Sequence, residues 1–333
     1  MTLKKKLAIL ISGVMLTAFV AGCGGGDKKA ADNKPIVMKL AENQPADYPT
    51  TIGDREFAKI VDEKTKGRIK IEVYPGGQLG DEKSVIEAVQ MGGIELARVN
   101  AQPLSDFAKP LRVLSLPFVF RDSDHLWKTL NGPVGEEILV TLQPSKMVGL
   151  TYYDSGSRNF YNSKREVKTP ADMKGLKIRV QQSELMMDLV KALGASPTPM
   201  AYGEVYSGLQ SGVIDGAENN WPSYYSTSHY EVAKNLTLNG HTRTPEVVIV
   251  SKAVWDKLSK EDQKILKDAA MESQKVQRKA WEDYEKKSID AVKAKGNQIT
   301  EIDVTVWQEA VKPVLEKHGK DVKGLVDKIS AVK

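Results

Sequence analysis

An arginine placed among apolar residues is the feature of this sequence with the clearest chemistry. Arg179 lies in residues 175–180, between Ile178 and Val180, a pattern typical of a buried strand. A buried arginine needs a partner, and its planar guanidinium matches a carboxylate through two parallel hydrogen bonds. That carboxylate could belong to a structural Asp or Glu, or to a ligand.

Two neighbouring segments favour a ligand. Arg158 follows a glycine-containing turn and precedes an aromatic pair. Residues 213–222 form a short apolar strand that ends in Asn219 and Asn220 and is followed by Trp221. Because ligands in open α/β sheets bind beyond the carboxyl ends of strands, these residues predict a site for a small polar anion with an apolar face.

The start of the folded part indicates how such a site is positioned. Residues 36–41, 68–74 and 94–99 have the pattern of strands, and helices are predicted between them, the second capped by Asp81. The alternation of strand, helix and strand is typical of a parallel sheet. The sequence therefore predicts an α/β protein.

Later segments indicate two lobes. Residues 147–153 form a strand expected to cross toward a second lobe, and residues 246–250 a strand that returns to the first. Residues 261–295 contain neither Gly nor Pro, which predicts a helix of about 50 Å lying across both lobes; two helices joined by a kink are the alternative. Lobe I is predicted to comprise residues 36–152 and 246–284, and lobe II residues 153–245 and 285–333.

The first 35 residues have the composition of a targeting segment and a linker. Three lysines and an apolar stretch precede Val20-Ala21-Gly22-Cys23, which resembles the lipobox of bacterial lipoproteins. Cys23 is the only cysteine in the chain. We expect residues 1–22 to be a lipoprotein signal peptide, Cys23 to carry a lipid that attaches the protein to a membrane, and residues 23–35 to be a flexible linker. Ordinary secretion with an incidental Cys23 is the alternative.

Charge and motifs argue against several other classes of protein. The 333 residues carry a formal charge of +5, and removing the three leader lysines lowers it to +2, which does not favour a nucleic-acid partner. The chain has no HExxH, no GxSxG and no phosphate-binding glycine loop, and its cysteine lies in the leader. We therefore predict no enzyme, no metal and no cofactor, although an enzyme built from scattered residues stays open.

Four motifs in order resemble a known family. They are Tyr-Pro-Gly-Gly-Gln-Leu-Gly-Asp at residues 74–81, the segment around Arg179 at 172–180, Gly-Ala-Ser-Pro-Thr-Pro-Met at 194–200, and Asp-Gly-Ala-Glu-Asn at 215–219. The chain is similar, from about Ile36 to its C-terminus, to the dicarboxylate-binding type of solute-binding protein from tripartite ATP-independent periplasmic (TRAP) transporters. The resemblance implies a two-lobed periplasmic-binding-protein-like fold, each lobe a central sheet flanked by helices, an extracytoplasmic location, and membrane permease subunits as partners.

The resemblance also implies roles for individual residues. Arg179 matches the arginine that clamps the substrate carboxylate, and Arg158 matches a second arginine on the same anion. Glu218 and His241 resemble a buried acid and histidine that hold the arginine in place, although His241 could equally be an ordinary core histidine. The other positions that match ligand contacts are an amide, an aromatic wall and three first-lobe residues: Asn219, Tyr202, Asn43, Glu82 and Asn100.

Departures from the family pattern bear on the ligand. Many members have proline after the amide, whereas this chain has Asn220 and then Trp221, and a tryptophan suits stacking on the apolar face of a sugar ring. Together with Glu42 and Asn43, this resembles members that bind hexuronates such as glucuronate or galacturonate. A C4-dicarboxylate or another 2-hydroxy acid is the alternative ligand, and a lipid-anchored ligand sensor is the alternative role.

Overall fold

Two β-sheets organise the part of the chain that the computed structural model describes, residues 34–333. The predicted signal peptide, Cys23 and nearly all of the predicted linker lie outside the described residues. Eleven strands build the sheets: β1 (Ile36–Ala41), β2 (Ile69–Tyr74), β3 (Leu96–Asn100), β4 (Met147–Tyr153), β5 (Arg158–Asn162), β6 (Lys177–Val180), β7 (Ser196–Pro199), β8 (Gly216–Asn219), β9 (Asn235–Thr242), β10 (Glu246–Ser251) and β11 (Gln298–Glu301).

Helices flank both sheets. They are α1 (Pro49–Thr65), α2 (Glu82–Met91), α3 (Ala101–Leu104), α4 (Ser123–Leu130), α5 (Pro133–Val140), α6 (Glu184–Ala192), α7 (Val205–Ser211), α8 (Trp221–Ser226), α9 (His229–Val232), α10 (Lys252–Trp255), α11 (Lys260–Ala294), α12 (Thr305–Ala310), α13 (Lys312–Gly319) and α14 (Lys323–Ala331). Short 3₁₀ segments connect several of them, for example Lys109–Ser115.

The first sheet has the strand order β2-β1-β3-β10-β4, and the second has β11-β9-β5-β8-β6-β7. Strand β1 runs parallel to β2 and β3, while β10 runs antiparallel to β3 and β4. The predicted α/β fold with two helix-flanked sheets is confirmed. The positions assigned to the lobe boundaries stay a prediction, because Pro35–Lys333 form one compact unit.

Three chain segments connect the two sheets. Residues 154–157 lead from β4 to β5, and residues 243–245 lead from β9 back to β10. The third connection is α11, which packs against α1 and β4 at the first sheet and against α8, which follows β8 of the second. Gln277 of α11 also ties the first connection, since its side chain bonds Asp154 N at 2.7 Å and Asp154 O at 2.9 Å.

Helix α11 runs without a break for 35 residues, as predicted. Its N-terminus is capped by Ser259, whose hydroxyl accepts from Asp262 N at 3.0 Å, and it ends just before Gly296, which has φ +73°. An ideal Cβ on Gly53 would lie 2.7 Å from Gln277 Cβ, so the close packing of α1 on α11 requires glycine there.

Two local predictions differ from the structure. Ile52 was expected on the buried face of α1 but is 38% exposed, because the buried face is formed by Phe57, Ile60 and Val61. Three helices rather than two follow β11. Among residues 34–333, no helix combines the length and the apolar character needed to cross a bilayer.

Candidate ligand-binding site

Strand ends from both sheets meet around a small polar cavity. Its volume is about 20 Å³, room for about one water molecule. The carboxyl ends of β3, β6 and β8 and the amino ends of the antiparallel β5 and β10 contribute residues. The lining side chains are almost all polar: Asn43, Gln44, Glu82, Arg98, Asn100, Arg158, Arg179, Gln181, Tyr202, Asn219, Asn220, Ser223 and Glu246.

Arg158 is paired with an acid inside the protein. Its Nε and Nη2 donate to the two carboxylate oxygens of Glu218 at 2.5 and 2.8 Å. His241 Nε2 lies 3.3 Å from the same carboxylate, and its ring stacks on Phe160. Burial would raise the pKa of Glu218, but the Arg158 charge and the His241 and Arg158 hydrogen bonds outweigh it and lower the pKa to about 2. Glu218 therefore pairs with Arg158, and His241 lies beside that carboxylate.

Arg179 is held differently. Its Nε and Nη2 donate to the backbone carbonyl of Met200 at 3.0 and 2.8 Å. Among the described residues, no carboxylate lies within 4.0 Å of its guanidinium, although the residue is only 2% exposed. Burial lowers the pKa of Arg179, and the more distant Glu218 only partly offsets this. A buried cation without a carboxylate partner therefore faces the cavity.

Asn219 and Asn220, at the end of β8, have different hydrogen-bond partners. Asn219 Oδ1 accepts from Arg158 Nη1 at 3.0 Å and from Asn220 N at 2.9 Å, so its amide nitrogen is the group left for the cavity. Asn220 caps α8, because its Oδ1 accepts from Ser223 N at 2.8 Å. Trp221 does not line the cavity and packs instead at the edge of an apolar cluster beneath the second sheet.

The first-sheet wall is built around Arg98. Its Nε donates to Glu42 at 2.9 Å, its Nη1 to Glu246 at 2.7 Å and its Nη2 to Asn43 Oδ1 at 2.6 Å. Arg98 is 2% exposed and Glu42 2%, so this is a buried ionic network in which each charged group has a partner. Asn43 is thereby fixed at the cavity.

Glu82 and Asn100 complete this wall. Asp81 caps α2 by accepting from Lys83 N at 3.0 Å, which places Glu82 at the first turn beside the strand ends. Glu82 Oε1 accepts from Asn100 N at 2.6 Å, and Asn100 Nδ2 donates to Glu246 at 2.8 Å. Burial, together with the charge of Glu246, raises the pKa of Glu82 to about 8.

Hydrogen bonds cross the cavity from one wall to the other. Tyr202 donates to Gln44 at 3.2 Å, and Gln181 donates to Glu82 at 3.4 Å. Deeper in, the hydroxyls of Tyr48 and Ser223 lie 2.8 Å apart. These contacts hold the two walls together and account for the small volume.

The structure thus gathers ten of the eleven predicted site residues at or beside one cavity; only Trp221 lies elsewhere. Arg98 and Glu246 were missed. A signal for Arg98 was present, because Leu96-Ala97-Arg98-Val99 repeats the pattern of an arginine among apolar residues that marked Arg179. Within the described part of the chain, no cluster of His, Cys, Asp and Glu side chains is arranged to hold a metal ion.

Comparison with known proteins identifies the family. The model of the family described as "Bacterial extracellular solute-binding protein, family 7" matches residues 40–321. The chain belongs to this family. The resemblance to TRAP solute-binding proteins that the motifs indicated is confirmed, and the family is described as extracellular and solute-binding.

Three relatives illustrate the similarity. A TRAP periplasmic solute-binding protein from a Bradyrhizobium species, solved with α/β-D-galacturonate, is 45% identical with a TM-score of 0.86, covering 88% of this chain and 98% of that one. A Pseudomonas putida F1 protein with bound D-glucuronate is 37% identical with a TM-score of 0.87, covering 90% and 98%. A solute-binding protein of Chromohalobacter salexigens is 38% identical over 274 residues, 82% of each chain.

Proposed function

We propose that this protein captures a hexuronate, D-glucuronate or D-galacturonate, and delivers it to the membrane permease of a TRAP transporter. The observation that carries the proposal is Arg179, a buried guanidinium without a carboxylate partner at the edge of a polar cavity. The hexuronates bound by the Bradyrhizobium and Pseudomonas relatives support the choice of ligand. The role is binding and delivery, without chemical conversion of the solute.

The charges of the cavity suggest how the ligand is oriented. The ligand carboxylate pairs with Arg179 and accepts from the amide of Asn219, since Arg158 already has Glu218. The opposite wall offers the amide of Asn43 and the carboxyl of Glu82, which can form hydrogen bonds with sugar hydroxyls. A hexuronate carries a carboxylate at one end and hydroxyls along the ring, which fits this division better than a molecule with two carboxylates.

The cavity must enlarge to admit such a ligand, because about 20 Å³ is far less than a six-carbon acid occupies. The hydrogen bonds from Tyr202 to Gln44 and from Gln181 to Glu82 join the walls and are the contacts that have to lengthen or exchange. Opening and reclosing of the walls about the three connections is the hinge motion expected of a two-lobed binding protein. Trp221 contacts the sugar ring only if α8 shifts during this motion.

Attachment to a membrane is a further part of the proposal. The lipobox-like Val20-Ala21-Gly22-Cys23 supports cleavage before Cys23 and lipidation of that residue. A lipidated Cys23 would keep the protein at the membrane, in the periplasm or on the outer face of the cytoplasmic membrane, near its permease. Mass spectrometry of protein extracted from native membranes should find an acylated Cys23 at the N-terminus; an unmodified N-terminus elsewhere would rule this out.

The ligand is tested by calorimetric titration and thermal shift with D-glucuronate, D-galacturonate and succinate. We expect the uronates to bind and to raise the melting temperature. At a free ligand concentration of a hundred times Kd, binding adds about 2.7 kcal/mol to the free energy of unfolding. Succinate should bind much more weakly. Tight succinate binding with no response to either uronate would reject the hexuronate proposal in favour of a C4-dicarboxylate.

A further inference from the structure

A second, larger cavity lies where the chain passes between the two sheets. Its volume is about 520 Å³, within the range of roughly 300–1,000 Å³ usual for small-molecule sites. It shares no lining residue with the cavity that holds Arg179. All three connections between the sheets contribute to its lining: Asp154 and Gly156 from the first, Arg243 from the second, and a long stretch of α11 from Lys275 to Glu285.

Three cations in this cavity lack an ionic partner. Among residues 34–333, no carboxylate lies within 4.0 Å of the charged groups of Arg243, Lys275 or Arg278. Other lysines on α11 are paired, for example Lys264 with Asp268 at 2.5 Å and Lys279 with Asp283 at 2.6 Å. Arg243, Lys275 and Arg278 have no such pair within the described residues, and they lie together in one cavity.

The position of Arg278 is fixed. Its guanidinium lies 4.0 Å from the centre of the Trp127 ring, and its Nε is buried without a hydrogen-bond partner. Stacking on an aromatic ring holds the plane of a guanidinium and leaves its N–H edge available for an anion. Arg278 is thus oriented for a ligand before the ligand arrives.

The acids in the cavity do not neutralise these cations. Asp154 accepts from Trp127 Nε1 at 3.1 Å and from Gly156 N at 2.9 Å, so both of its oxygens have partners. Glu282 lies 3.7 Å from Lys279. Burial and then the nearby Asp154 raise the pKa of Glu285, while Arg243 lowers it. The lining carries four cations, Arg243, Lys275, Arg278 and Lys279, against three acids, Asp154, Glu282 and Glu285, so one positive charge is left in excess.

We propose that this cavity is a second binding site, for a small oxyanion with two or more negative charges, held by Arg243, Arg278 and Lys275. Inorganic phosphate and a small di- or tricarboxylate share this chemistry. Because all three connections between the sheets contribute to its walls, the anion affinity of this site depends on how the two sheets are arranged.

A chain of contacts links this site to the first cavity. Trp281 lines the second cavity, and its ring packs edge-on against Tyr48 with centroids 6.0 Å apart. The Tyr48 hydroxyl in turn lies 2.8 Å from Ser223 Oγ and 3.4 Å from Asn220 Oδ1, both residues of the first cavity. An anion between the connections therefore changes uronate affinity, and by linkage the uronate changes anion affinity by the same factor.

The test uses the mature protein with phosphate and citrate as separate probes, compared with sodium chloride at equal ionic strength. We expect at least one probe to raise the melting temperature and to give a calorimetric Kd. The double variant Arg243→Gln/Arg278→Gln should weaken that binding roughly ten-fold or more, equivalent to about 1.4 kcal/mol. Lys275→Gln, on the exposed helix surface, should weaken it less, and Lys286→Gln, on α11 outside the cavity, should leave it unchanged.

The outcomes separate the alternatives. A response to phosphate alone or to citrate alone identifies the source of the oxyanion. No response to either probe beyond the salt control overturns the site, and so does equal binding by the double variant, which would mean that the anion binds elsewhere on the protein. With the anion saturating, the glucuronate Kd of the parent should change roughly five-fold or more. An unchanged Kd would overturn the coupling, and uronate binding without added anion tests the proposed function independently.

Discussion

Arg158 and Arg179 lie on neighbouring parts of one sheet and are almost equally buried, at 3% and 2% exposure, yet their surroundings differ. Arg158 has a carboxylate of its own, with Glu218 on two of its nitrogens. Arg179 has only the Met200 carbonyl. The comparison separates an arginine that is paired with a carboxylate inside the fold from one that has no carboxylate partner among the described residues.

The absence of a carboxylate partner makes the burial of Arg179 unfavourable for stability. A buried charge without an opposite charge is unfavourable, and such groups are found mainly at binding and catalytic sites. The sheet tolerates Arg179 because the Met200 carbonyl fixes its position. In the proposed complex the ligand carboxylate supplies the missing charge, and the unfavourable energy is recovered at binding.

The largest effect is expected from removing the partner of Arg158. Glu218→Gln leaves a buried guanidinium uncompensated and should lower the free energy of unfolding by about 3–5 kcal/mol. Arg179→Met is the matched control, since it leaves no carboxylate unpaired and should cost less. Urea unfolding of both ligand-free variants measures the difference. Equal losses would mean that the two arginines are not distinguished in this way.

Next in size is the effect of Arg179→Lys on binding. Lysine keeps the charge but loses the planar fork, so we expect an intact fold and a loss of about 2–5 kcal/mol in binding. This corresponds to roughly 30-fold to several-thousand-fold in Kd. Calorimetry with glucuronate at one pH and salt gives the ratio, and circular dichroism checks the fold. If the variant binds as well as the parent, the carboxylate lies elsewhere.

The Arg158–Glu218 pair should also make the free energy of unfolding depend on pH in acid. The folded pKa of about 2 lies below the unfolded value of about 4.3. The folded state therefore binds fewer protons, and the contribution of Glu218, roughly 3 kcal/mol, is complete above about pH 4.3 and is lost as the pH falls through 2. Stability measured from pH 5 to pH 2 should fall less steeply in Glu218→Gln than in the parent. Identical slopes would contradict the pairing.

The smallest effect is expected at Asn219. Asn219→Ala removes a neutral amide from the ligand carboxylate and should weaken glucuronate binding by about 0.5–1.5 kcal/mol, less than Arg179→Lys. The same calorimetric conditions apply. A loss larger than that of Arg179→Lys would show that the amide, not the guanidinium, is the main carboxylate contact.

The sequence predicted the burial of Arg179 because its apolar neighbours specify a buried strand. It could not predict the Met200 carbonyl as the partner, since any residue has a carbonyl and only the fold brings this one to β6. Arg98 has the same sequence pattern as Arg179, an arginine among apolar residues, so its burial could have been predicted in the same way. Strand β3, which carries Arg98, also ends in an amide, Asn100.

Trp221 shows that residues close together along the chain can lie in different surroundings in the fold. It stands two residues after Asn219 and was expected at the ligand, but Asn220 caps α8 and the chain turns there from strand to helix. The indole consequently packs at the apolar cluster. By contrast, the unbroken α11 was predictable, because the absence of Gly and Pro over its length is visible in the sequence itself.

The continuity of α11 sets a limit on how this protein can vary in length. Each residue added to a helix turns all that follows by about 100° and advances it by about 1.5 Å. A single insertion near the middle of α11 would therefore move β11 out of its pairing with β9, where Gln298 faces Asn235, and would displace the fully buried Trp307. Surface loops can gain or lose residues without this penalty, so changes in chain length should be found in them and not in α11.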